Sequence, residues 1–63
     1  MKWQVRGILI RIKPNHEQEE IIVNEIVAGT LKGQVIDEVL QKHIYWYSPD
    51  KVFWKDDPTA EIM

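Results

Sequence analysis

The sequence predicts a two-layer α+β fold in the order β-α-α-β-β, a three-stranded antiparallel sheet with both helices on one face. Three observations predict it. The N-terminal run is β-branched with alternating polarity, two central stretches space their apolar residues for a helix, and two aromatic runs flank Ser48-Pro49-Asp50 near the end. The alternative is a small all-β barrel in which 20–28 and 34–40 are strands. The whole chain, 1–63, reads as a single small domain, with 57–63 expected as a flexible tail.

The first strand is WQVRGILIRIK, Trp3 to Lys13. Alternation sets Ile8, Ile10 and Ile12 on one face and Trp3, Val5, Leu9 and Arg11 on the other. Gly7 interrupts the run and marks a bulge or a close backbone approach. Pro14-Asn15 ends it. Asn15 then suits an N-cap, and Glu17, Glu19 and Glu20 suit a first helical turn, where the helix dipole favours negative charge. Ile22, Val23, Ile26 and Val27 form a helical stripe, and Ala28-Gly29 supplies the stop, so a helix is expected over 16–28. Taken alone, Ile21-Ile22-Val23 also suits a strand.

Thr30 is the expected cap of a second helix running to Lys42, with Val35, Ile36, Val39 and Leu40 on one face. Gly33 weakens its start by roughly 1 kcal/mol, which places the first firm turn at Gln34. The runs 43–47 and 51–54 then read as an aromatic hairpin whose type I turn carries Pro49 at its second position.

Sixty-three residues without a cysteine leave no disulfide framework and no thiolate metal site. At 44% hydrophobic and 29% charged residues the composition is globular rather than disordered. No apolar run approaches the roughly 20 residues that span a bilayer, and the start lacks a signal-peptide pattern, so a cytoplasmic setting without membrane contact is expected. The net charge of −2 hides an asymmetry. Lys2, Arg6, Arg11 and Lys13 make the first stretch wholly basic, and Glu17, Glu19, Glu20 and Glu25 make the next wholly acidic. Packed side by side, the two stretches steady each other; left apart, the basic one steers an acidic partner.

Catalytic chemistry finds little support. Ser48 precedes a turn proline with no histidine beside it, and the adjacent pairs Asp37-Glu38 and Asp56-Asp57 diverge on any regular element. His16 and Glu20 share a helix face on the expected reading, but two ligands do not make a metal site, and the glycines at 7, 29 and 33 match no phosphate loop. The expectation is no enzyme, no metal and no cofactor.

Nucleic acid is the second reading. Residues 17–42 fit a helix-turn-helix with the aromatic hairpin as a wing, or a sheet could stack bases beside Arg11 and Lys13. Asp37, Glu38 and the four glutamates argue against either. The leading reading is a protein-binding module, an inhibitor or adaptor of a larger protein and a homodimer. It acts through an aromatic sheet face of Trp3, Arg11, Tyr45, Trp46, Tyr47, Phe53 and Trp54, the residue mix of interface hot spots.

Overall fold

The computed structural model describes residues 1–63 and gives the order β-β-α-β-β. Strand β1 spans Lys2–Ile12, β2 Gln18–Ala28, helix α1 Lys32–Tyr47, β3 Lys51–Trp54 and β4 Thr59–Ile62. The α+β class and the helix-on-one-face layering are as expected. The sheet is antiparallel and open, so the barrel alternative does not form, although its strand over 20–28 does.

Strand β1 is the centre of the sheet. It pairs along its whole length with β2, from Lys2 opposite Ala28 to Ile12 opposite Gln18. Its other edge takes β3 against Leu9–Ile12 and β4 against Trp3–Arg6, end to end. Between them Lys55–Pro58 bulges out opposite Gly7 and Ile8. Because this break shifts the register by two residues, each side chain keeps its face. Gly7 permits the break: a β-carbon there would lie 2.7 Å from the Trp54 ring and 3.2 Å from Pro58.

The expected helix over 16–28 is strand β2. Five of its eleven residues are β-branched, with Ile21, Val23 and Val27 turned to one face and Ile22 and Ile26 to the other. Pairing with β1 decides between the two periodicities, because a full antiparallel ladder satisfies both backbones. The connection is a three-residue turn in which the His16 N–H donates to the Lys13 carbonyl and the Lys13 N–H to the Glu17 carbonyl, both at 2.9 Å. Pro14 takes the second turn position, and His16 takes the left-handed one at φ 68°.

The second expected helix is present but differs at both ends. It begins after Leu31, not Thr30, and no side chain caps it. It also runs on through 43–47, so the first arm of the expected hairpin is helical. The stripe Val35, Val39, His43 and Tyr47 faces the sheet throughout, beside Ile36, Leu40 and Ile44, and burial of this stripe outweighs the strand preference of Tyr45-Trp46-Tyr47. Pro49 stops the helix by disfavouring helical backbone at Ser48. The closing turn bonds the Asp50 N–H to the Tyr47 carbonyl at 2.8 Å, with Pro49 at the third position after a cis peptide bond. The expected tail contains β4, whose Ala60 lies opposite Val5 and is buried.

The core lies between α1 and the odd-numbered face of β1 and β2. Trp3, Val5, Leu9 and Val23 meet Val35 and Val39, closed by Val52 and Ala60. His43 is the one buried polar residue, its Nδ1 2.8 Å from the Val39 carbonyl oxygen and its Nε2 3.5 Å from a Glu25 oxygen.

Candidate functional site

A helix of sixteen residues is about 24 Å long and lies on one face of strands about 37 Å long, so the other face has no second layer. That face carries the even-numbered residues of β1 and β2. Ile8, Ile10 and Ile12 run down its middle, with Ile22 opposite Ile8, Phe53 opposite Ile10, and Ile26 beyond Asn24. Ile22 is 83% exposed, Ile26 58% and Phe53 45%. A single exposed isoleucine needs no explanation, but Ile8, Ile10, Ile12, Ile22 and Phe53 adjoin on one face as a patch, with Ile26 set apart beyond Arg6 and Asn24.

Polar groups rim this patch. Lys55 reaches over β1 to the Glu20 carboxylate, and this hydrogen bond and charge raise the lysine pKa. Gln4 Nε2 donates to Asn24 Oδ1 at 3.0 Å, while Lys2, Arg6 and Lys51 stand at the ends.

The aromatic strip expected from the sequence is dispersed. Trp3 is buried, and its indole N–H donates to the Gly29 carbonyl at 2.9 Å. Trp54 is half-buried, packed against the core and Gly7. Tyr45 and Trp46 are exposed on the outer side of α1, with Trp46 edge-on to His43 and 5.1 Å from the Lys42 ammonium. Of the seven named residues, only Phe53 lies on the open sheet face.

Arg11 and Tyr47 are brought together, though under the helix. The guanidinium sits 4.3 Å over the Tyr47 ring, donates from Nε to Asp50 Oδ2 at 2.7 Å and reaches Glu19 at 3.5 Å. The Asp50 hydrogen bond is the main influence raising the Arg11 pKa; partial burial opposes it, and the charges of Asp50 and Glu19 add to the rise. This is a structural tie between β1, β2 and the turn after α1. With Lys13 also 3.7 Å from Glu19, the basic and acidic stretches lie side by side and meet in ion pairs at Glu19, whereas Glu20 and Glu25 pair with Lys55 and Lys42.

Alternation along β1 divides Ile8, Ile10 and Ile12 from Trp3, Val5, Leu9 and Arg11 as expected, but the expected binding surface drew Trp3 and Arg11 from the face that is the core and left out Ile22 and Ile26, which the expected helix over 16–28 had hidden. The run Ile21-Ile22-Val23 was the available signal.

Beside the β1–β2 turn is a cleft of about 440 Å³, bordered by Lys13, His16, Asp50 and Lys51. Asp50 is already held by Arg11, and no nucleophile and base converge there. No three His, Asp or Glu side chains come together to hold a metal, and no helix is long and apolar enough to cross a membrane. No protein-family model matches the chain, and neither a curated protein nor a solved structure is detectably similar to it.

Proposed function

We propose that this chain is a non-enzymatic protein-binding module, an inhibitor or adaptor of a larger protein, working in the cytoplasm as a homodimer. Its docking surface is the open isoleucine face rather than an aromatic strip. The observation that carries this is the uncovered patch of Ile8, Ile10, Ile12, Ile22 and Phe53 on a domain that already has a core on the opposite face. An apolar centre with a rim of Lys2, Arg6, Glu20, Lys51 and Lys55 has the composition of a docking patch, whose centre loses water and whose rim sets orientation.

The nucleic-acid reading loses its helix-turn-helix form, because residues 18–28 are a strand and only one helix remains. A sheet-surface form would use aromatic stacking, and the open face offers Phe53 alone.

The test compares capture from source-cell lysate by the wild type, Phe53→Lys and Trp46→Ala, with and without nuclease. The expected result is a protein held through nuclease treatment by the wild type and Trp46→Ala, and lost by Phe53→Lys while its circular dichroism stays native. Loss with Trp46→Ala and retention with Phe53→Lys would move the site to the helix. Material released by nuclease would replace the reading with nucleic-acid binding.

A further inference from the structure

The two edges of the sheet differ. The β3/β4 edge is blunted: two four-residue strands are separated by the bulge Lys55–Pro58, with Lys51, Lys55 and Pro58 along it. These are the devices by which proteins protect an edge from pairing. Strand β2 has none of them. Its eleven residues contain no proline, no lysine and no break in register.

The ladder settles which backbone groups this edge presents. The Gly29 N–H bonds the Met1 carbonyl and the Lys13 N–H the Glu17 carbonyl, so the odd residues of β2 bond to β1. The N–H and C=O groups of Gln18, Glu20, Ile22, Asn24, Ile26 and Ala28 therefore point outward. None of them takes part in the backbone bonds made outside the helix and ladders.

We propose that this edge is an interface between two copies of the chain, with β2 pairing antiparallel to the β2 of the second copy about a two-fold axis at Asn24. The sequence of β2 selects both occupant and register. Centred on Asn24, each Ile22 meets Ile26 of the second copy on the open face, and each Ile21 meets Val27 on the helix face. Glu20 then meets Ala28, Glu25 meets Val23 and Glu19 meets Gly29, so no two like charges oppose each other.

Neighbouring registers are worse. Centring on Glu25 sets two carboxylates face to face, centring on Ile22 sets Glu19 against Glu25, and centring on Val23 sets Glu20 against Ile26 and Ile21 against Glu25. The acidity of β2 is no barrier, since each glutamate is already compensated within its own chain: Glu19 by Arg11 and Lys13, Glu20 by Lys55 and Glu25 by Lys42. In this register each Ile22–Ile26 contact is made twice, the reciprocity of a closed two-fold interface. The outward groups from Glu20 to Ala28 supply about ten backbone hydrogen bonds, typical of a stable interface.

The proposal deepens the docking reading and rests on it for its consequence. Pairing at β2 joins two open isoleucine faces into one continuous surface without covering either.

The test places opposite charges at the two-fold axis, where residue 24 meets itself. Asn24 is exposed, so Asn24→Lys and Asn24→Asp leave the core alone, and circular dichroism checks this. Sedimentation should show the wild type as a dimer, each variant with dimer affinity weakened at least about tenfold, and an equimolar mixture of the two restored to dimer. A monomeric wild type, variants that dimerise as tightly as the wild type, or a mixture that stays monomeric would each overturn the proposal. Phe53→Lys separates the two ideas: it is expected to dimerise normally while losing its protein partner. A monomeric wild type that still loses its partner through Phe53→Lys would overturn the dimer and keep the docking face.

Discussion

Lys55 and Glu20 meet across the full width of β1. They flank β1 on its two edges, and their ion pair crosses the open face between Ile8 and Ile10. Where the helical layer is absent, this pair and the stems of its side chains partly shield the central isoleucines. The lysine pKa is raised by this contact, so its stabilising effect is fully present below the unfolded lysine value and is lost as pH rises through the folded one.

The stability difference between wild type and Glu20→Gln should accordingly be small and steady from neutral pH to about pH 10, then close at higher pH. It should also shrink with added salt, as for any exposed pair. Urea denaturation of both proteins along a pH series measures this. A gap that persists well above the lysine range would show that Glu20 acts through something other than Lys55.

Gly7→Ala should destabilise the domain by about 1–3 kcal/mol, as expected for a group inserted into packed space. The added carbon lands on the Trp54 ring, which is half-buried and packed against the core. Tryptophan fluorescence during denaturation reports the midpoint, and an unchanged midpoint would show that Trp54 moves aside freely.

Leu31→Ser should stabilise by about 1 kcal/mol. Leu31 is 66% exposed and holds the extended backbone of an N-cap (φ −124°, ψ 137°) without supplying a cap. A serine there stands three residues before Gln34, the spacing of a capping box. Thermal melting checks it, and a lowered melting temperature would mean that the Leu31 side chain packs more than its exposure indicates.

Trp46→Ala should change stability by less than about 0.5 kcal/mol, whereas Trp3→Ala should cost about 3–5 kcal/mol. The first ring is 63% exposed; the second is 7% exposed and hydrogen-bonded to Gly29. For a chain this short the second loss is comparable with its whole stability. Equal effects would contradict the placement of one ring outside the core and the other within it.

Local residue order was enough for β1, for the helix over 34–42 and for the division of Ile8, Ile10 and Ile12 from Trp3, Val5 and Leu9. These features rest on short-range periodicity, which a strand or helix shows by itself. The same local logic failed over 18–28 and 43–47. Each segment satisfies two periods at once, and the outcome depends on which surface is offered to it from a distance in sequence.

By itself, then, the sequence determined an α+β domain with a β-branched central strand and a basic stretch set against an acidic one. Tertiary structure alone decided that the acidic stretch is the neighbouring strand, where Glu19 lies opposite Arg11. It also decided that the aromatics scatter between core, helix and sheet. A side chain's face follows from local geometry, but its exposure depends on whether another layer covers that face. Here a single helix covers one face of the sheet, and the isoleucines of the other are left without a second layer.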